Sequence, residues 1–139
     1  MDDKLSIRII EPDKDASTID EWWESYHKIK IDKKLLPNNG KNGLVAEIDG
    51  KLIAAVFIYQ TNSPVWYCDY LVADPNYKEK NRETILILLI DKAVNTCWEL
   101  GAEAVWCTTP YDSVLEKLKL LDYTIGSKKH SIIYKNKPK

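Results

Sequence analysis

The dipeptide Asp49-Gly50 is the feature that most restricts how this chain can fold. It separates two runs rich in β-branched and apolar residues, 44–48 and 52–59. Asp-Gly between two such runs is among the strongest short-range signals for a β-hairpin, because both residues tolerate the positive φ of a tight two-residue turn. The sequence therefore predicts an antiparallel pair of strands around this turn.

The segments before the hairpin predict one strand and two helices. Residues 5–10 alternate apolar and polar side chains and end at Pro12, which predicts a short strand. A helix with an aromatic stripe is predicted over 17–28, with acidic residues in its first turn, where the helix dipole favours them. Residues 28–36 predict a second short helix, which ends before the loop-like stretch 37–43.

The segments after the hairpin predict a third strand and then a mixture of helices and strands. Residues 65–72 are aromatic and β-branched, which is typical of a strand. Residues 81–100 carry apolar side chains at helical spacing, and Gly101 follows at the position of a C-terminal cap. The last predicted elements are a strand over 103–109, a helix over 112–121, and closing strands over 123–125 and 131–134.

In order, these elements predict a single α+β domain over residues 1–139. The order is β-α-α-β-β-β-α-β-α-β-β, with about seven strands in a mostly antiparallel, twisted sheet and about four helices. A helical crossover joins the strands 65–72 and 103–109, so these two strands are predicted to be parallel neighbours. Open sheets bind their ligands at such a point of reversal.

Composition limits the partners and the compartment that we expect. Twenty basic residues against 21 acidic residues leave a formal net charge of −1, which disfavours a nucleic-acid partner. The three cysteines lack the spacing of metal ligands, so neither a disulfide framework nor a metal site is expected. The sequence carries no signal-peptide profile and no apolar run of membrane-spanning length. We therefore expect a cytoplasmic protein without a membrane partner.

Two motifs resemble the GNAT superfamily, the acyl-CoA-dependent N-acyltransferases. Residues 71–78, LVADPNYK, are similar to the family segment L-A-V-D-P-x-Y-R, which lies between a strand and a long helix. Residues 115–123, LEKLKLLDY, resemble the family's closing helix and its L-G-F turn. The resemblance covers nearly the whole chain. It implies that the strand ending at Ala73 splays from its neighbour, that pantetheine lies in the gap, and that the pyrophosphate of CoA rests on amides at the start of the long helix.

The implied CoA site departs from the family pattern in its glycines. The family carries Arg/Gln-x-x-Gly-x-Gly/Ala, and these positions correspond to Lys78, Asn81 and Glu83. The carboxylate of Glu83 would repel a pyrophosphate, whereas nearby bases would attract it. The alternative is that Asn81 caps the helix and the lysines are only solvated. A loop of this kind resembles a GNAT branch often seen in phage genomes. With acetyl-CoA or CoA as the cofactor, the implied binding residues are Leu71, Val72, Ala73, Lys78, Lys80, Asn81, Arg82, Glu83 and Thr84.

The resemblance also implies catalytic residues, and each has a structural alternative. Relatives often carry an acidic base at the position of Asp69, which could instead accept hydrogen bonds at a strand edge. The family's tyrosine acid corresponds to Leu118, so the candidate for that role is Tyr111, which could equally be an interface aromatic. A backbone N–H near Val72 or Ala73 is expected to meet the oxyanion.

The first predicted helix carries the candidate acceptor site, namely Trp22, Trp23, Tyr26 and His27. This surface suits a cationic or aromatic amine, although one tryptophan could instead anchor the helix in the core. The predicted function is transfer of an acetyl or other acyl group from acyl-CoA to a primary amine of a small molecule or peptide by direct attack. The alternative is a GNAT-like binding or regulatory module without activity. A homodimer is compatible with the resemblance.

Overall fold

The computed structural model describes residues 4–28, 33–109, 111–126 and 138. The strands are β1 (Leu5–Ile9), β2 (Gly43–Ile48), β3 (Lys51–Tyr59), β4 (Val65–Ala73) and β5 (Ala104–Cys107). The helices are α1 (Pro12–His27), α2 (Arg82–Glu99) and α3 (Asp112–Lys119). Short 3₁₀ turns, Lys33–Leu35 and Pro37–Gly40, precede β2. Within these ranges, no helix combines the length and the apolar character that crossing a membrane requires.

The strands form one sheet in chain order, β1-β2-β3-β4-β5. Neighbours from β1 to β4 are antiparallel, whereas β5 pairs parallel with β4. The predicted parallel pair is therefore confirmed, and so is the α+β class. The turn between β2 and β3 is the predicted hairpin, because Asp49 and Gly50 have φ values of 50° and 83°.

The N-terminal helices differ from the prediction. α1 begins at Pro12 and not at Ser17, because proline suits the first position of a helix, where no N–H partner is needed. The predicted second helix over 28–36 is wrong. Lys28 ends α1 in a left-handed conformation with φ 62°, and the described part of that range holds only a 3₁₀ turn, Lys33–Leu35.

The C-terminal end also differs, so the described sheet has five strands and not seven. Residues 123–125 form no strand. The amide of Tyr123 instead bonds the carbonyl of Leu118 at 3.2 Å, and its hydroxyl donates to Asp91 of α2 at 2.8 Å. The other predicted closing strand, 131–134, lies outside the described residues.

Two hydrophobic cores lie on opposite faces of the sheet. α2 and α3 cover one face and α1 covers the other. Leu71 and Ala73 of β4 belong to the α2 core, whereas Val72 between them belongs to the α1 core. This alternation follows from the period of two in a strand, and it leaves the end of β4 accessible to residues from both helical layers.

A buried ion pair joins α1 to β1. Asp15 is 0% exposed, and its two carboxylate oxygens accept hydrogen bonds from Nη1 and Nη2 of Arg8 at 2.8 and 2.9 Å. The amide of Glu11 donates to the same carboxylate at 2.8 Å. Burial alone would raise the pKa of Asp15, but these hydrogen bonds outweigh it and hold the pKa below its usual range.

Candidate active site

The pairing between the parallel strands β4 and β5 ends halfway along β4. Pairing runs from Val65 opposite Ala104 to Cys68 opposite Cys107, where β5 ends. β4 continues to Ala73, so residues 69–73 have no β5 partner in the described part of the chain. A strand edge left open in this way can pair with an extended ligand through its backbone. It lies where the sequence predicted a ligand, at the reversal of the sheet.

A β-bulge in β4 lies beside this open edge. Ala55 pairs with Val72 and Phe57 pairs with Asp69, so two residues of β4 oppose one residue of β3. Tyr70, inside the bulge, has φ 56°, which is uncommon for a residue other than glycine. Nothing in the aromatic run of β4 signals a left-handed residue, and the sequence therefore did not predict the bulge.

Asp69 fastens the bulge to the loop after β5. Its Oδ1 accepts one hydrogen bond from the amide of Tyr70 at 2.7 Å and another from the hydroxyl of Thr108. No residue in the described ranges bonds Oδ2. The half-buried carboxylate therefore has a structural role at one oxygen and remains able to bind a ligand at the other. Sequence reasoning missed Thr108, although its place directly after the parallel strand was an available signal.

Arg82 brings together residues for which the sequence predicted separate roles. Its guanidinium carbon lies 5.0 Å from the ring centroid of Tyr111, and its Nη2 donates to the hydroxyl of Tyr26 at 3.2 Å. Tyr111 also interacts with Tyr26 and with the backbone of Ala73. Burial and the contact with Tyr26 raise the pKa of Tyr111 to about 12. Its phenol is therefore protonated at neutral pH and can donate a proton at the end of β4.

The start of α2 presents two amides for which the described residues supply no hydrogen-bond acceptor. The N–H of Arg82 bonds the carbonyl of Glu79 at 3.2 Å, and the N–H of Ile85 bonds the carbonyl of Asn81 at 2.9 Å. The amides of Glu83 and Thr84, which lie between them, find no acceptor in the described ranges. Such amides at a helix N-terminus attract an anion.

The loop before α2 adopts its conformation without glycine. Asn81 has φ −85°, which any residue can adopt, so its side chain causes no strain there. That side chain does not cap the helix, because its Oδ1 accepts a hydrogen bond from the hydroxyl of Tyr77 at 2.5 Å. Lys78 and Lys80 are exposed on the same loop.

The carboxylate of Glu83 forms a salt bridge with a lysine of α3. Its Oε2 lies 2.5 Å from Nζ of Lys117 on α3. Hydrogen bonds from Lys117 and Ser113 hold the pKa of the Glu83 carboxyl below its usual value. The sequence predicted that this carboxylate would repel a pyrophosphate, but it could not show that α3 supplies a compensating charge.

The predicted acceptor residues divide between the core and the surface. Trp22 and Trp23 are 5% and 8% exposed, so both tryptophans, and not one, anchor α1 in the core. The Trp23 ring packs edge to face on Tyr70, with centroids 5.0 Å apart. Tyr26 is exposed and lies at Arg82. The side chain of His27 lies outside the described part of the structure.

No protein-family model matches this sequence, and no curated protein matches it either. Solved structures do match. An aminoglycoside acetyltransferase from an uncultured soil metagenomic sample, in complex with sisomicin, is 19% identical, with a TM-score of 0.63 over 96% of this chain and 97% of its own. Glucosamine-6-phosphate N-acetyltransferase from Arabidopsis thaliana is 13% identical, with a TM-score of 0.66 over 95% of this chain and 99% of its own. This chain has the GNAT fold. The resemblance predicted from residues 71–78 and 115–123 is thereby confirmed at the level of the fold.

One further match with this GNAT fold contains a bound nucleotide cofactor. N-acetylglutamate synthase from Neisseria gonorrhoeae, complexed with coenzyme A and L-arginine, is 14% identical with a TM-score of 0.67. The match covers 82% of this chain but only 26% of the synthase, so the shared part is a single domain of a longer protein.

Proposed function

We propose that this protein transfers an acetyl group, or another acyl group, from acyl-CoA to a primary amine by direct attack. The observation that carries the proposal is the open edge of β4 over residues 69–73, together with the amides of Glu83 and Thr84, for which the described residues supply no acceptor. Two structural neighbours with the GNAT fold support it, since one acetylates aminoglycosides and the other glucosamine-6-phosphate by name. The cytoplasmic location and the homodimer stay predictions.

The residues at this site fit CoA. The unpaired backbone of β4 suits an extended, amide-bearing chain such as pantetheine. The start of α2 suits a pyrophosphate, because free amides there are flanked by Arg82, Lys78 and Lys80. Glu83 does not oppose this charge, since Lys117 already pairs with it. When bound, acyl-CoA supplies the thioester carbonyl that the amine attacks.

The side chains around the bulge are placed to move the protons. As the new N–C bond forms and the C–S bond breaks, the ammonium group of the acceptor loses two protons and the leaving sulfur gains one. Asp69 offers Oδ2 as the base, and Tyr111 offers a protonated phenol as the acid. The expectation that a backbone N–H near Val72 or Ala73 meets the oxyanion stays a prediction.

Calorimetric titration with acetyl-CoA, followed by assay of CoA release with a panel of primary amines, tests this proposal. We expect saturable binding below millimolar ligand and amine-dependent release of CoA. An Arg82→Ala variant should raise the Kd for acetyl-CoA about tenfold, because a charge-assisted contact to phosphate is lost. Lys92→Ala, which removes an exposed cation from the middle of α2, should bind like the wild type. Absence of binding at millimolar acetyl-CoA would overturn the proposal.

The pairing of Glu83 with Lys117 gives a second prediction. In a Lys117→Met variant, the carboxylate of Glu83 stands beside the α2 amides without its counter-charge, so the Kd for CoA should rise about threefold to fivefold. Calorimetry measures this change. The double variant Lys117→Met/Glu83→Gln should recover the wild-type affinity. If the double variant binds as weakly as the single one, repulsion by Glu83 is not the cause.

A noncatalytic binding module is the second candidate function. Leu118, which corresponds to the family's tyrosine acid, is 5% exposed in the α2 core and carries no hydroxyl. Such a module would bind acetyl-CoA and release no CoA with any amine. Amine-dependent release that scales with enzyme concentration would exclude it.

A further inference from the structure

Two exposed aromatic residues, Tyr67 and Trp106, lie side by side on β4 and β5 and form an aromatic strip near Asp69. Tyr67 of β4 pairs with Trp106 of β5, and their rings meet edge to face with centroids 5.9 Å apart. The two residues are 43% and 63% exposed, respectively. Aromatic side chains that are exposed next to each other offer a surface on which an apolar or aromatic ligand can pack.

The strip ends in an acidic group on the same face of the sheet. Residues two apart in a strand point to the same side, so Asp69 follows Tyr67, and Thr108 follows Trp106. The hydrogen bond between Thr108 and Asp69 confirms this placement. At about 3.3 Å per residue, Asp69 lies about 7 Å along β4 from Tyr67.

The carboxylate at this end has one oxygen, Oδ2, that no described residue contacts through a hydrogen bond. Both of its hydrogen bonds go to Oδ1, and no salt bridge in the described residues involves Asp69. Tyr70 adds another ring beside it, 6.3 Å from Tyr59 between centroids. A carboxylate next to aromatic faces suits an ammonium group, since both attract a cation.

We propose that the acceptor amine is an arylalkylamine, whose ammonium group binds Oδ2 of Asp69 and whose aromatic ring packs on Tyr67 and Trp106. The inference rests on the proposed function and names the substrate class of that site. A linker of about two or three carbons spans the distance of about 7 Å between the acidic and aromatic ends. A polyamine or an aminoglycoside is a poorer match, because each carries several positive charges and the strip offers one carboxylate.

The test compares phenethylamine with cyclohexylethylamine, which has the same charge, linker and approximate size but no aromatic ring. We expect kcat/KM for CoA release to be about tenfold higher with phenethylamine. In a Trp106→Leu variant the KM for phenethylamine should rise about tenfold, with little change in kcat and none in the Kd for acetyl-CoA. A Trp98→Leu variant is the matched control, because Trp98 is 54% exposed on α2, at the opposite face of the sheet.

Direct binding separates failure of this inference from failure of the proposed function. Phenethylamine binding is followed in the wild type and in Asp69→Asn, without acetyl-CoA, as the change in tryptophan fluorescence that the Trp106→Leu variant lacks. Saturable binding that Asp69→Asn weakens about tenfold supports the arylalkylamine site, even if no CoA is released. Equal or better turnover of cyclohexylethylamine or spermidine overturns it and leaves the transferase standing. Absence of phenethylamine binding at tens of millimolar, with or without acetyl-CoA, also overturns it.

Discussion

Replacing Asp15 with Asn should lower the free energy of unfolding by about 2–3 kcal/mol. The carboxylate is 0% exposed and binds Nη1 and Nη2 of Arg8 at 2.8 and 2.9 Å. Asparagine keeps the shape but removes the nearer counter-charge of Arg8, whose Nη2 then keeps only the longer contact with Glu47 at 3.3 Å. The Nε of Arg8 is buried and has no hydrogen-bond partner in the described chain. Urea unfolding followed by circular dichroism measures the loss.

The control for this variant is Asp13→Asn, in the same turn of α1. Asp13 is exposed, and its removal should cost no more than about 0.5 kcal/mol. A loss for Asp15→Asn no larger than that for Asp13→Asn would contradict a stabilising role for the buried pair.

The same ion pair predicts how stability depends on pH. Burial raises the pKa of Asp15, but hydrogen bonds from Arg8 and Glu11 outweigh it, so the folded protein has the lower pKa. The stabilisation is therefore complete above the pKa of the unfolded chain, about 3.9, and is lost as the pH falls through the folded pKa. Below about pH 4 the wild type should lose stability more steeply than Asp15→Asn. Parallel slopes for the two proteins would contradict this assignment.

Replacing Asp69 with Asn should lower kcat for amine acetylation about 100-fold, with less than about a twofold change in the Kd for acetyl-CoA. The asparagine carbonyl can still accept the hydrogen bonds from the Tyr70 amide and the Thr108 hydroxyl, so the bulge persists. What disappears is an oxygen that can take a proton from the amine. Assay of CoA release at saturating amine measures kcat.

The pH profile distinguishes a base from a positioning residue. If Asp69 takes the proton from the ammonium, the deficit of Asp69→Asn should shrink as the pH approaches the pKa of the amine, because an amine that is already neutral has lost the first of its two protons. Thr108→Val, which loses only the hydrogen bond to Oδ1, should lower kcat about tenfold at every pH. A deficit for Asp69→Asn that stays constant with pH would assign Asp69 to positioning alone.

Parts of the fold that depend on local chemistry were predictable. The Asp49-Gly50 hairpin was predictable, because a tight turn needs positive φ at both residues and the sequence supplies residues that tolerate it. α2 was also predictable, since its apolar side chains recur at helical spacing over the whole length of the helix. The start of α1 was not predictable, because Pro12 is compatible both with the end of a strand and with the first residue of a helix.

The sequence predicted which region of the chain forms the candidate site, but not how its side chains are arranged in space. The resemblance to the GNAT family implied this region: residues 71–73, Lys78, residues 80–84 and Asp69. The pairing of Glu83 with Lys117 and the approach of Arg82 to Tyr26 and Tyr111 were not predicted, because these partners come from distant parts of the chain. Local patterns carry no information about which side chain of α3 or α1 lies opposite the start of α2.

The sequence by itself determined the hairpin, the parallel crossover and the absence of glycine from the loop before α2. Only the tertiary structure decided what those residues can do. The bulge at Tyr70, with φ 56°, directs the Tyr70 amide to Oδ1 of Asp69, and among the described residues β5 ends at Cys107 and leaves residues 69–73 of β4 unpaired on that side. The reason is physical: turns and helices follow from bonds within a few residues, whereas a strand edge and an uncompensated charge depend on what the rest of the chain places beside them.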